Sequence, residues 1–366
     1  MGWPNAPTLR AVRPRSMEHG VPTSLADRAV FVVTDAWVYL TRPFFVVRCH
    51  RRLGYWPDFA RPRRLSELVQ WRKLFDRNPA FVTFADKLAT KAWIAERVPD
   101  LAIPETIWVG ERPEDVPDSL LTPGHVIKTN NASGQNHLPH RSPLARGEFD
   151  RQFRRWLGAS AAKRHLGWLD QSQEWTYWKV PPKILVERQV GAGRALVDIS
   201  VRVFDGEAFL ANCALDFKTE ASADAYFWPD GTRVAQQTEA TLPANFAVPP
   251  AFHRAVRAAE RLAQGFDYLR VDFLADGDTL FAGEITCFPA SGFSTDEWFL
   301  QLMYRRWLET LHLSWALATP QPWPRRIYLA AFRRWLSAHR AELASKPLPL
   351  APKARDVLEN GAGSRN

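Results

Sequence analysis

The chain has 366 residues, of which 46% are apolar and 24% charged, and carries a formal net charge of +9. That length holds one large domain or two medium ones with material to bury a core, and it excludes a small scaffold stapled by disulfides or metal. Three widely separated cysteines, Cys49, Cys213 and Cys287, form neither a disulfide framework nor a zinc pattern and fit a reducing cytosol.

Residues 1–24 are rich in Pro and Arg, lack the apolar segment of a signal peptide, and are expected to be a mobile basic N-terminus. Residues 25–85 are expected to be mainly helical. The most apolar stretch, Ala29 to Val47, is interrupted by Asp35, Arg42 and Pro43, so it does not make a spanning helix, while lying on a membrane surface stays open. Leu65, Leu68, Val69, Trp71 and Leu74 recur at helix spacing and predict a helix from Leu65 to Phe75.

The positive charge belongs to the two ends. Residues 1–64 carry 11 Lys/Arg against 4 acids, residues 301–366 carry the same counts, and the middle has 26 against 31. A nucleic-acid reader concentrates basic residues on its binding domain. Here the distribution points away from nucleic acid and toward basic flanks in peripheral contact with anionic membrane or polymer.

An α/β region follows. Asp86 to Arg97 reads as a helix, and Ile103 to Val109 as a strand closed by Gly110. Val126 to Lys128 reads as a short strand, followed by the small polar run Thr129 to Asn136. Such a run bends easily, so its amides can converge on an anion beside Lys128, although an ordinary turn has the same composition. Ile184 to Val190 is a strand entering a Gly191-Ala192-Gly193 turn. Asp198 to Phe204 alternates as a half-buried strand closed by Asp205-Gly206.

Between Asp267 and Gly292, Arg270, Asp272 and Glu284 recur at even spacing through an otherwise apolar hairpin pattern. A three-residue loop, Asp276 to Asp278, with Gly277 supplying a positive φ, places Arg270 opposite Glu284 and Asp272 diagonal to it. A two-residue loop puts the two carboxylates on opposite faces unless a bulge intervenes. The three-residue register is expected. Two carboxylates beside an arginine suit a divalent cation and phosphate, and a solvated face of an exposed hairpin has the same pattern.

Beyond residue 300, C-terminal helices (301–345) precede a disordered tail (346–366). From Arg325 to Leu343, Ile327, Leu329, Phe332, Trp335 and Leu336 alternate with arginines at helical intervals. This pattern fits a helix packed on the domain or one lying on a membrane.

The order of these features resembles an ATP-grasp domain: strand-lysine with a small-residue loop, strand-glutamate with a hinge, a strand opening with an acid, then Arg-Val-Asp and Glu-Ile-Thr on a hairpin. The hairpin is similar to the metal-binding end of D-alanine–D-alanine ligases. Closer still is the TupA-like ATP-grasp family of teichuronopeptide and surface-polysaccharide synthesis, whose resemblance takes in Leu65-Ser66-Glu67, Trp71 to Leu74, Asp86 to Lys91, Ile103-Pro104, Glu174 to Tyr177, Pro182 to Glu187 and Gly265-Phe266-Asp267. It covers about residues 50–295.

The resemblance implies an α/β (α+β) ATP-grasp fold with two α/β subdomains sandwiching ATP (86–183 and 184–300), plus helical N- and C-terminal extensions. It implies that Lys128, the loop at Ser133 and Gly134, Lys183, Glu187, Arg188, the backbone near Val190, and Asp198 bind ATP. Arg270 would stabilise the transferring phosphoryl group, with Arg202 standing in for a missing lysine on its strand. Asp272, Glu284 and Thr286 would bind Mg²⁺, two ions in all. The chain departs from the family pattern at Ala132 in the phosphate loop, at Ser200 where a lysine is usual, and at Thr286 where an asparagine is usual. The reaction implied is ATP-dependent ligation of a carboxylate to an amine through an acylphosphate, on a small-molecule or glycan acceptor. Phosphotransfer to a hydroxyl and a non-catalytic scaffold at a membrane-bound glycan assembly remain as alternatives. Cys287, beside this site, reads as packing.

Overall fold

Ser24 starts the first helix by accepting the Asp27 amide at 3.1 Å, and Pro43 starts the second at a position where its missing N–H costs nothing. This is a computed structural model, and it describes residues 23–191, 196–216, 221–235, 237, 241–294 and 296–346. The mobile N-terminus and disordered tail expected from the sequence lie outside the described residues, apart from residues 23, 24 and 346. So does the Gly191-Ala192-Gly193 turn beyond Gly191.

Five helices open the fold: α1 (Leu25–Thr41), α2 (Pro43–Leu53), α3 (Leu65–Phe75), α4 (Ala80–Ala85) and α5 (Lys87–Arg97). The next elements are β1 (Thr106–Gly110), β2 (His125–Thr129), β3 (Asn136–His137), α6 (Arg146–Leu166), α7 (Thr176–Lys179) and β4 (Ile184–Arg188). The second sheet comprises β5 (Val197–Phe204), β6 (Glu207–Leu215), β7 (Ala223–Phe227), β8 (Leu269–Asp276) and β9 (Thr279–Thr286), with α8 (Phe252–Ala263) between β7 and β8. Last come α9 (Glu297–Thr310), α10 (Trp315–Ala318) and α11 (Arg325–Ala344).

The strands form two antiparallel sheets, ordered β1-β4-β2-β3 and β7-β6-β5-β8-β9. In the five-stranded sheet, Ile199, Val201, Val271 and Phe273 turn one way into the core with Ala255, Ala259 and Leu262 of α8. The alternation of strand side chains therefore delivers Ser200, Arg202, Arg270 and Asp272 to the other face. In the four-stranded sheet, Ile127, Ile184 and Val186 pack on Phe149 and Phe153 of α6, which leaves Lys128 and Glu187 on the opposite side.

Helix α3 matches its predicted bounds, but all eleven of its residues are buried, including Glu67, Arg72 and Lys73. Helix α11 buries Tyr328, Leu329, Phe332, Trp335 and Leu336. Its mixed apolar and basic pattern is that of a packed helix rather than one laid on a membrane.

Three carboxyls outside the strand site are held well above the usual carboxylate range. Burial, reinforced by a neighbouring acid (Asp58 and Asp267 respectively), pushes Asp35 and Asp76 up to about 7, and burial pushes Glu67 up to about 7. In the unfolded chain the same groups ionise near pH 4. The native state thus binds protons that the unfolded state has released, so this contribution to stability is lost as pH rises through 7. The melting midpoint is expected to be several degrees higher at about pH 6.5 than at about pH 8. Calorimetry showing a flat or rising midpoint over that interval would contradict the protonated state of these carboxyls.

Candidate functional site

The hairpin of β8 and β9 corrects the expected register. Asp276 pairs with Thr279, so the loop has two residues, with Gly277 at φ +58° in its first position. Arg270 lies opposite Thr286 rather than Glu284. Between Val271 and Phe273 the register shifts, because β9 spends three steps where β8 spends two. This bulge returns Glu284 to the face of Asp272. Gly283 occupies it because a Cβ there would stand 2.5 Å from the Asp272 carbonyl oxygen.

The four side chains meet. Arg270 donates from Nε to Asp272 Oδ1 at 2.8 Å and from Nη2 to Asp272 Oδ2 at 2.6 Å. Nη2 also reaches Thr286 Oγ1 at 3.2 Å and Glu284 Oε1 at 3.4 Å. The Thr286 hydroxyl donates to Glu284 Oε1 at 3.3 Å. The adjacent acids outweigh burial and hold the Arg270 guanidinium well above its ordinary pKa. On β5, Ser200 stands opposite Asp272 and Arg202 opposite Arg270, while Asp198 pairs with Leu274 on the same face.

Arg202 is buried, donates to the Ser200 carbonyl at 3.1 Å, and lies over the rings of Tyr226 and Phe299 at 5.0 and 5.1 Å. A cleft of about 120 Å³ opens here, lined by both arginines, Tyr226, Ala290, Phe299 and Leu300. A larger cavity of about 280 Å³, between His312, Leu317, Arg333, Leu336 and Arg340, contains none of the expected site residues.

Beyond β9 the backbone makes an unusual turn, with Ala290, Ser291 and Gly292 all at positive φ (48°, 54° and 81°). Two of these are not glycine, so the surroundings must hold them there. Helix α3 does so. Gln70 and Lys73 donate to the Ser291 carbonyl at 2.9 and 3.0 Å, and the Ser291 hydroxyl donates to Glu174 at 2.6 Å. Burial lowers the pKa of Lys73 against the opposing pull of Glu174. Gln70, Lys73 and Glu174 escaped the sequence reading as site-supporting groups.

On the other sheet, Glu187 accepts from Lys128 at 2.6 Å and pairs with Lys91 at 2.6 Å. The two ammoniums hold its pKa down against the opposing effect of burial. Lys87, one helical turn before Lys91 on α5, donates to the carbonyls of Thr129 at 3.0 Å and Ala132 at 2.5 Å, which pins the small-residue loop. Burial lowers Lys87 to about 8, opposed first by the charge of Glu284. Helix α5, which carries Lys87, also packs against β9. Lys87 and Lys91 were not identified as site residues from sequence. Their i, i+4 spacing, which puts two ammoniums on one helix face, was the available signal.

Ser133 and Gly134 are exposed in the loop, Gly134 at φ +73°. Lys183 precedes β4, where its amide donates to Asn130 Oδ1 at 2.7 Å, and Val190 lies just past the end of that strand. Arg188 is not brought to this cluster. It follows Glu187 on the strand, so it faces the other way, and it pairs with Glu105 at 2.8 Å while 64% exposed.

Asp272, Glu284 and Thr286 offer two carboxylates and a hydroxyl, hard oxygen donors of the kind Mg²⁺ takes when phosphates complete its shell. They already gather round a positive charge, the Arg270 guanidinium. Among the described residues no group of three His, Cys, Asp or Glu side chains could hold a metal. The three cysteines are buried and free, and burial pushes Cys49 and Cys213 up to about 12 and Cys287 higher, which keeps them unreactive.

A family model described as TupA-like ATPgrasp matches residues 67–302. No curated protein matches the chain. Among solved structures, the ATP-grasp ligase PsnB complexed with minimal precursor is similar at 14% identity over 61% of this chain and 59% of that one, with a TM-score of 0.33. D-alanine–D-alanine ligase from Bacillus anthracis is similar at 15% identity, over 71% of this chain and 69% of that one, with a TM-score of 0.34. L-amino acid ligase from Bacillus licheniformis is similar at 14% identity, over 62% and 49%, with a TM-score of 0.38. The chain thus spans 59% of the PsnB chain and about half of the L-amino acid ligase.

Proposed function

The chain belongs to the TupA-like ATP-grasp family, and from that membership we propose that it is an ATP-dependent carboxylate–amine ligase acting in surface-polysaccharide or glycan-peptide synthesis. The observation that carries this reading is the meeting of Arg270, Asp272, Glu284 and Thr286 on one sheet face, with Lys87 pinning the small-residue loop after β2.

In this reading Lys128, Lys183 and the loop at Ser133 and Gly134 hold the phosphates of ATP. Glu187 and the backbone near Val190 hold adenine, and Asp198 holds ribose. Asp272, Glu284 and Thr286 hold Mg²⁺, which neutralises phosphate charge when bound. Arg270 stabilises the phosphoryl group as a substrate carboxylate attacks it in line, and Arg202 stands in for the lysine missing from its strand. The acylphosphate then gives its carbonyl carbon to an amine and releases phosphate, so no enzyme nucleophile is needed. The acceptor is a small molecule or glycan bearing the carboxylate, and the enzyme is cytoplasmic and peripheral at the inner face of the membrane.

One observation favours the scaffold reading instead: both oxygens of Asp272 are already engaged by Arg270, beside a threonine where the family has an amide. Hydroxylamine separates the readings. With ATP, Mg²⁺ and a panel of uronic and amino acids, a ligase gives a hydroxamate together with ADP and phosphate. A phosphotransferase gives ADP and a phosphorylated acceptor, and a scaffold gives neither.

A further inference from the structure

The exposed large apolar side chains are concentrated in one place. Of twelve among the described residues, eight lie between residues 25 and 56. On α1 they form a stripe of Leu25, Val32, Val33, Trp37 and Leu40, between 47% and 82% exposed. The opposite face of the helix is fixed to the body: Phe31 and Val38 are buried, Arg334 holds Asp27 at 2.5 Å, and Asp35 accepts the amides of Phe59 and Ala60 at 3.0 and 2.9 Å. Helix α2 repeats the arrangement, turning Phe45, Val46 and Cys49 inward and Phe44 and Val47 outward.

Charge follows the same division. The three acids of residues 23–64 are all engaged, Asp27 by Arg334, Asp35 by backbone amides and Asp58 by Arg61 at 3.0 Å. Arg28, Arg51 and Arg52 are exposed, and among the described residues no acid pairs with them. Among the described residues no single helix is long and apolar enough to cross a membrane, and α1 and α2 meet at 101°. An apolar stripe flanked by arginines, with Trp37 and Trp56 at its margin, matches a bilayer surface, where acyl chains take the stripe, lipid phosphates take the guanidiniums, and indoles sit at the boundary.

We infer that the outward face of α1 and α2 docks the protein on an anionic lipid bilayer, lying in its surface without crossing it. The inference rests on the peripheral location proposed above and is independent of the ligase chemistry. It places the contact on the segment that contains Ala29 to Val47, whereas the apolar side chains Leu329, Phe332, Trp335 and Leu336 of α11 are buried.

The test is flotation of the full chain with phosphatidylcholine vesicles, with and without phosphatidylglycerol, at low and high salt. The wild type is expected to float with the anionic vesicles and to lose binding as salt screens the arginines. Val33→Glu with Leu40→Glu is expected to cut the bound fraction about tenfold or more, with melting midpoint and ATP-analogue binding unchanged. Arg51→Glu with Arg52→Glu is expected to abolish the preference for anionic vesicles. Unchanged flotation of Val33→Glu/Leu40→Glu overturns the inference. So does a wild-type dimer that this variant turns to monomer while neither floats, since the face is then covered by a second copy. Absent flotation with hydroxamate formation intact rejects the surface and leaves the ligase reading standing.

Discussion

Asp272→Asn is expected to lower Mg-ATP turnover about 10²–10³-fold, the usual loss when one preorganised charge is removed from a site that works by electrostatics. The amide keeps the shape of the carboxylate and one oxygen acceptor but removes the negative charge and one of the two oxygens that now hold Arg270. Arg270 and Asp272 are each 19% exposed, and Glu284 at 3.4 Å still offers the guanidinium a partner. The melting midpoint should therefore move little. Glu284→Gln should show the same pattern, with the larger effect on the dependence of rate on Mg²⁺ concentration because its side chain is the more open, at 49% exposed. Steady-state ADP release with circular dichroism of each variant makes the comparison. Wild-type turnover in both would remove the metal and phosphoryl assignment altogether.

The residues of this cluster were legible in the sequence, but their pairing was not. Even spacing selected Arg270, Asp272 and Glu284 because strand alternation is local, and the family resemblance added Thr286. The loop was misread because Asp276-Gly277-Asp278 satisfies turn chemistry at two lengths, and only cross-strand pairing chooses between them. The clue to the bulge was Gly283, an isolated glycine in a strand pattern. The same limit applies to burial. Helix α11 and helix α1 both alternate apolar residues with others, and which one is covered depends on distant partners. Tyr328 of α11 packs against Phe31 of α1 and accepts from Trp71 at 2.8 Å, so α11 is enclosed while the far side of α1 is left open. The lysines of α5 were missed for a related reason, since the groups they reach, Glu187 and the loop carbonyls, lie at least 42 residues away in sequence.

The largest effect on stability is expected at Arg72, where an ordinary helix pattern conceals a cation with no access to water. Arg72 is 0% exposed. It donates to Asp267 at 2.5 Å, to the Tyr268 carbonyl at 2.8 Å and to the Cys287 carbonyl at 3.3 Å. Its guanidinium lies over Trp307 at 4.3 Å and Phe81 at 5.1 Å. These bonds join the residue before β8 to the residue after β9, so one side chain closes the base of the hairpin that carries the site. Arg72→Leu is expected to cost about 3–5 kcal/mol, because it strands a buried carboxylate rather than merely deleting an attraction. Asp267 would keep only the indole of Trp307 at 2.7 Å, and Asp76, now 3.8 Å from Arg72, would lose its nearest cation. If the cost is the stranded charge, Asp267→Asn in the Arg72→Leu background should recover part of it, although the same change alone is destabilising. Urea unfolding of the four proteins gives the coupling directly. A loss below about 1 kcal/mol for Arg72→Leu, no more than an average substitution causes, would mean that the hairpin is held from elsewhere.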